Sequence, residues 1–196
     1  MQEIILASSS PRRKQLLQQI GLQFITVPAE IDEGSIKYSS VPELVKQLAR
    51  LKAEQVGRGK QQAIIIAADT LVVLNEFWMG KPVNRADAFN KLSLLSGRHH
   101  QVVTGLCVLD CARQNYETAV EVTDVFFRTL RPAEINGYLD YGEWVDKAGG
   151  YGIQGKGALL IEKIEGCYFN VVGLPLSRLY LMLGKQGVHL LGGGNA

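Results

Sequence analysis

A run of small hydroxyl side chains leads directly into three cations: Ser8-Ser9-Ser10-Pro11-Arg12-Arg13-Lys14. An apolar, strand-like Ile4-Ile5-Leu6-Ala7 precedes it, and a helical pattern on Leu16, Leu17 and Ile20 follows, with Gly21 as its stop. Ser10 suits an N-cap and Pro11 a first helical position. The first turn of a helix favours acids, because free N–H groups and partial positive charge collect there. Arg12, Arg13 and Lys14 run against that preference. Uncapped N–H groups, serine side chains and a guanidinium pair together describe an anion site, most naturally for phosphates. A solvated basic turn after an ordinary cap is the plainer reading, and these residues alone leave both open.

Asp69 is the second candidate. It interrupts Ala63-Ile64-Ile65-Ile66-Ala67-Ala68-Asp69-Thr70-Leu71-Val72-Val73-Leu74, an apolar run of the kind that forms a covered strand. A carboxylate there must be paired, metal-bound or placed at the mouth of an active site, because burying it bare costs several kcal/mol. The alternative is a strand-end cap on a turn, but the apolar pattern continues on both sides. Lys52 lies four residues from both Leu48 and Val56 on an apolar helix face. Such a lysine covers core with its stem or points its ammonium into a cleft. Gly80-Lys81-Pro82 lacks the spacing of a Walker A loop. In Asp146-Lys147-Ala148-Gly149-Gly150-Tyr151-Gly152-Ile153-Gln154-Gly155 the glycines allow close approach of backbone to a ligand, or make a flexible loop. Gln154 carries both a donor and an acceptor, which suits a nucleobase edge.

The elements that must position these groups alternate between strand and helix. After the first helix comes a strand-like 24–27, then an acidic loop with Glu30, Asp32 and Glu33. Ser40-Val41-Pro42-Glu43 opens a helix on Leu44, Val45, Leu48 and Val56. Phe77-Trp78-Met79 reads as the hairpin partner of the apolar strand, and Asn84 caps a helix that Gly97 ends. Residues 101–111 and 116–128 read as a hairpin, and 132–141 as a short helix. Strands are expected at 158–164 and 169–172, then a helix entered by Pro175. His99 and His100 are expected at a surface or strand end.

The 196 residues suit one α/β domain spanning 1–196, with two lobes and a flexible tail at 192–196. A net charge of +2 provides no field for gripping nucleic acid. No apolar run is long enough for a membrane span, and no signal-peptide pattern opens the chain. Three cysteines fit a reducing compartment better than a disulfide framework, and no metal-spaced His stands near Cys107 and Cys111. A cytoplasmic protein without nucleic-acid or membrane partners is expected.

Taken in order, these motifs resemble the Maf family of nucleotide pyrophosphatases, over nearly the whole chain. The resemblance rests on Ser8-Ser9-Ser10-Pro11-Arg12-Arg13, Glu33, Leu51-Lys52-Ala53, Ala68-Asp69-Thr70, Gly80-Lys81-Pro82 and Ser96-Gly97 with Val103-Thr104-Gly105. It continues through Asp146-Lys147-Ala148-Gly149-Gly150-Tyr151, Gly152-Ile153-Gln154-Gly155 and Asn170-Val171-Val172-Gly173-Leu174-Pro175. Cys167 departs from the pattern, which has Ser before the aromatic.

The resemblance implies an inosine-triphosphatase-like α/β fold: an elongated mixed β-sheet flanked by helices, with two lobes around a central cleft, usually in a homodimer. It implies a house-cleaning hydrolase that cuts a nucleoside triphosphate to monophosphate and pyrophosphate with a divalent metal, Mg²⁺ or Mn²⁺. Pro11-Arg12-Arg13, Asp69-Thr70 and Ile153-Gln154-Gly155 look like the branch acting on dTTP and UTP, modified pyrimidine nucleotides included. The branch preferring 7-methyl-GTP carries Gln after the catalytic Asp. On this reading Ser8, Arg12, Arg13, Lys52 and Lys81 bind phosphates. Glu33 and Asp69 hold the metal, Asp69 serves as general base, ligand or both, and Arg12, Thr70 and Gln154 select the substrate. The competing readings are a nucleotide-binding regulator of septum formation without catalysis, and a pyrophosphatase for other non-standard nucleotides.

Overall fold

The apolar run at 63–74 forms a strand with the expected limits, β3 (Ala63–Leu74). A computed structural model describes residues 2–31, 36, 38–75 and 77–191. Glu33 and Asp32 lie outside the described residues, as does the tail at 192–196. Ile64, Ile65 and Ile66 of β3 are wholly buried, as a strand covered on both faces requires. Each such side chain contributes roughly 1.5–3 kcal/mol on burial.

β1 (Glu3–Leu6) lies parallel to β3, with Ile4 opposite Ile64 and Leu6 opposite Ile66. On its other side β1 runs parallel to the short β2 (Ile25–Thr26). Parallel neighbours need crossovers, and helices α1 (Pro11–Gln19) and α2 (Val41–Gly57) serve as these. β4 (Phe77–Met79) folds back antiparallel onto β3, with Met79 opposite Val72. Further on, β5 (His99–Asp110), β6 (Asn115–Phe127) and β7 (Ile161–Glu165) complete a seven-stranded sheet of order β2-β1-β3-β5-β6-β7, with β4 on β3. β6 and β7 are antiparallel, so the sheet is mixed. The remaining helices are α3 (Arg85–Leu95), α4 (Pro132–Asp140), α5 (Tyr168–Val172) and α6 (Leu176–Lys185). This is the mixed α/β sheet flanked by helices that the sequence implies.

Local signals explain most boundaries. Ser40 caps α2 by accepting from the Glu43 N–H at 3.4 Å, and Asn84 caps α3 by accepting from the Asp87 N–H at 2.9 Å. The apolar face of α2 buries Leu44, Val45, Leu48, Ala53 and Val56. No helix among the described residues is long and apolar enough to cross a membrane.

The chain forms two compact units. The first comprises Met1–Asp69, Thr104–Glu121 and Gly173–Ala196. Its core includes Ile5, Ala49, Ala53, Ile65, Cys107 and Cys111. The second comprises Thr70–Val103 and Val122–Val172, around Val72, Leu92, Val125, Phe127, Ile135 and Tyr151.

Three expectations need correction. Residues 158–164 are not one strand: a 3₁₀ segment, Gly155–Leu160, precedes β7. The β-branched stretch at 169–172 belongs to α5, because Asn170 is fully buried and bonded into the sheet. Its Nδ2 donates to the Val102 carbonyl and to Thr123 Oγ1, each at 2.9 Å. His99 and His100 open β5, the strand end expected of them, but His100 is not at a surface: it is buried, meets the Tyr151 hydroxyl at 2.6 Å and packs edge-on against Phe127.

Candidate active site

In the first unit the basic turn and the buried acid converge. Ser10 stands at the N-cap of α1 with extended backbone, but its hydroxyl makes no cap bond, and no acid lies in the first turn. Ser8 organises this entry instead. It is 7% exposed, and its Oγ accepts from the Ser10 N–H at 3.2 Å and from Arg13 Nη1 at 3.3 Å. The expectation that Ser10 caps the helix is therefore only half met: the position holds and the side-chain bond does not form.

Arg13 reaches inward from α1. Its Nε donates to the Gly173 carbonyl at 2.8 Å and its Nη1 to the Ala68 carbonyl at 2.9 Å. The planar guanidinium fork can serve acceptors from two separate segments at once, which an ammonium on a flexible stem does poorly. Burial draws the Arg13 pKa below its usual value, with the Asp69 charge opposing that shift and Arg12 adding to it. Arg13 thus ties the residue before Asp69 to α1 and to the segment leading into α6. Arg12 remains partly exposed at the helix entry.

Asp69 is 8% exposed in the middle of β3. Lys52 Nζ, from the apolar face of α2, donates to its Oδ1. The two side chains retain 15% and 12% exposure, so the pair is sheltered without being sealed. The lysine ammonium offsets the cost of holding a carboxylate inside an apolar strand. Lys52, between Leu48 and Val56 on α2, thus aims its charge at Asp69.

α2 is held close to the sheet. A Cβ on Gly105 of β5 would run into the Val45 backbone carbonyl and lie 2.7 Å from the Lys46 nitrogen. The absence of a side chain at Gly105 lets the helix bearing Lys52 approach.

The second unit holds the remaining candidates. Thr70 follows Asp69 on β3 and is half-buried. Lys81 is 65% exposed, with Nζ 3.8 Å from Asp146 Oδ1. The Gly149 N–H donates to the Gly80 carbonyl at 3.2 Å, joining the segment around Lys81 to the glycine-rich stretch. Gly149 packs on Val72 and Gly150 on Pro82, so tight internal packing accounts for these glycines. Gln154 is half-buried just before the 3₁₀ segment Gly155–Leu160, and its side-chain amide makes no hydrogen bond among the described residues.

Sequence reasoning missed two groups of residues. The Ala68 and Gly173 carbonyls that hold Arg13 are backbone atoms, invisible to any side-chain pattern. Glu143 is one of two acids in a turn, yet its carboxylate accepts from the N–H groups of Lys156 at 3.0 Å and Gly157 at 3.3 Å. No periodicity marks it.

Asp69 offers only oxygen acceptors, suited to a hard cation. No group of three or more His, Cys, Asp or Glu among the described residues forms a cage for a metal. A site of that kind fits Mg²⁺ or Mn²⁺ only where phosphate oxygens complete the shell, which is the usual habit of Mg²⁺.

Residues 3–186 match the family model described as Maf-like protein. The chain belongs to the Maf family. A relative from Syntrophomonas wolfei, named dTTP/UTP pyrophosphatase, is 47% identical over 95% of this chain and 98% of its own length. Another Maf relative of the same name, from Carboxydothermus hydrogenoformans, is 48% identical over 94% of this chain and 99% of its own. Among solved structures, a HAM1 protein from Coxiella burnetii aligns with 20% identity and a TM-score of 0.45, over 65% of this chain and 73% of its own. At Cys167, where the resemblance leads one to expect Ser, the hydrogen bonds seen are made by the backbone. The Cys167 N–H donates to Thr123 Oγ1 at 3.0 Å, and its carbonyl accepts from the same hydroxyl at 3.2 Å.

Proposed function

We propose that this chain hydrolyses dTTP and UTP, modified pyrimidine forms included, to the nucleoside monophosphate and pyrophosphate. The observation that carries this reading is the sheltered pair of Asp69 on β3 and Lys52 on α2, next to the Arg12–Arg13 turn. The names of relatives at 47% and 48% identity support the choice of substrate.

In this mechanism Asp69 accepts a proton from the water that attacks the α-phosphorus, and the bond to the β-phosphate oxygen breaks. Pyrophosphate leaves with the bonding electrons. Cations and aimed N–H groups carry most of the stabilisation in such transfers, because charge builds on the leaving phosphates. Arg12, Lys52, Lys81 and the α1 entry around Ser8 supply that charge. Arg13 contributes its charge while its guanidinium fixes the backbone at Ala68, one residue before Asp69. Asp69, together with Glu33, which lies outside the described residues, would hold Mg²⁺ or Mn²⁺. When bound, such a cation supplies Lewis-acid polarisation of phosphoryl oxygens and water. Arg12, Thr70 and Gln154 select the nucleotide, with the Gln154 amide reading the base edge. The enzyme works as a homodimer in the cytoplasm.

A panel of nucleoside triphosphates with Mg²⁺ or Mn²⁺ tests this, with monophosphate and pyrophosphate measured separately. Pyrophosphate from dTTP and UTP, with ATP and 7-methyl-GTP spared, is the expected result. Binding without turnover across the panel would overturn it in favour of a non-catalytic regulator.

A further inference from the structure

The turn that carries Gln154 is clamped from outside by one side chain. Glu143 follows α4, and both of its carboxylate oxygens face the backbone of the turn. Oε2 accepts from the N–H of Lys156 at 3.0 Å and of Gly157 at 3.3 Å, and Oε1 lies 3.2 Å from the Lys156 nitrogen. Gly155 has φ +67°, and a Cβ there would meet Oε1 at 2.8 Å. The carboxylate occupies the space a side chain would need, and the left-handed backbone turns the N–H groups towards it.

Four further contacts close the turn. A Cβ on Gly152 would meet Lys147 Cε at 2.6 Å, and Lys147 Nζ donates to the Glu143 carbonyl. Gly157 abuts the Gly152 carbonyl so closely that no Cβ would fit. The Lys156 ammonium lies 3.1 Å from the centroid of the Tyr141 ring. Residues 141–147 thus cradle residues 152–157, and Gln154 sits within that turn with extended backbone and an amide that makes no hydrogen bond among the described residues.

We infer that Glu143 is a positioning residue for base selection: by clamping the turn 152–157 it fixes the backbone position from which Gln154 extends its amide to a pyrimidine edge. This rests on the assignment of Gln154 as base reader under the proposed function. A turn free to shift would let the amide reach purine and pyrimidine edges with little preference. A turn held in one place sets the reach of the amide and discriminates, because a mismatched base leaves its donor or acceptor unpaired.

The test is kcat and KM for dTTP and for dGTP in wild type, Glu143→Ala, Glu143→Gln, Gln154→Ala and the Glu143→Ala/Gln154→Ala double variant. Gln154→Ala is expected to lower the dTTP-to-dGTP ratio of kcat/KM by about tenfold. Glu143→Ala should lower that ratio by a similar factor, chiefly through the KM for dTTP, and the double variant no further. Glu143→Gln keeps one acceptor oxygen and should restore the ratio to within about threefold of wild type. A purely structural role would lower kcat for both nucleotides alike and leave the ratio in place, which overturns the inference. If Gln154→Ala itself leaves the ratio unchanged, the base-reader assignment fails and this inference falls with it. If only Glu143→Ala leaves it unchanged, the inference alone is overturned. Should Glu143→Ala not fold, Gly155→Ala displaces the carboxylate from the other side. A lowered ratio there supports the clamp and an unchanged ratio rejects it.

Discussion

Lys52 Nζ on α2 donates to Oδ1 of Asp69 at the centre of β3, and neither side chain is more than 15% exposed. The pair joins a helix to a strand through charge. Removing one partner is therefore costlier than removing both, since a sheltered charge is left without its counterion. Lys52→Met should lower unfolding free energy by about 3 kcal/mol, within the range for breaking a buried pair. Urea unfolding of Lys52→Met, Asp69→Asn and the double variant measures this. The double variant should recover part of the loss, and strict additivity would show that the pair contributes nothing.

Arg13 cannot be replaced by lysine without loss. Its Nε and Nη1 serve carbonyls of Gly173 and Ala68 and the hydroxyl of Ser8. Each buried acceptor left unsatisfied costs about 1–3 kcal/mol. Arg13→Lys should lower stability by about 2 kcal/mol and turnover by more than tenfold, because the backbone beside Asp69 is released. Thermal unfolding and steady-state kinetics on the same preparations check both effects.

The expectations at Asp69 and Lys52 were within reach of the sequence because each was anomalous in its own pattern. A carboxylate in an unbroken apolar strand and a lysine on an apolar helix face must each find a partner. The α2 and α3 starts were legible from Ser40 and Asn84 for the same local reason. Arg13 was legible as one cation of a basic turn, but not its inward course or the carbonyl oxygens that receive it, since those depend on where Gly173 arrives from 160 positions away in the chain. Phe169–Val172 reads as strand by its β-branched content. Tertiary bonds from Asn170 to Val102 and Thr123 override that weak preference. His100 reads as a strand-end polar residue, and only the fold brings Tyr151 and Phe127 around it.

Gly105 should tolerate no side chain. A Cβ there meets the Val45 backbone, which cannot move aside as a flexible side chain can. Gly105→Ala should push α2 off the sheet and cost about 3 kcal/mol, at the upper end of the range for overpacking. Denaturant midpoints report the stability, and a loss of turnover exceeding the loss of folded protein would report displacement of Lys52.

His100 should make the fold acid-sensitive. Burial, with a smaller contribution from His99, lowers its pKa to about 4 from a usual value of 6.5. The folded state thus holds His100 neutral where the unfolded state protonates it. Its contribution is fully present above the unfolded value and is lost as pH falls through 6.5 towards about 4. The full shift corresponds to at most about 3 kcal/mol. Urea midpoints at pH 7 and pH 4.5 should differ less in His100→Gln than in wild type. An unchanged difference would assign the acid sensitivity to other groups.

In the proposed mechanism Asp69 drives cleavage between the α and β phosphates. Single-turnover reaction of dTTP with wild type and Asp69→Asn, with dTMP, pyrophosphate and phosphate quantified together, tests it most directly. Nucleotide affinity is measured in the same samples. Wild type should give dTMP and pyrophosphate in equal amounts. The rate should be about 10²–10⁴-fold lower in Asp69→Asn, the usual worth of a general base, with dTTP affinity retained. Release of dTDP and phosphate by wild type, or an undiminished rate in Asp69→Asn, would contradict it.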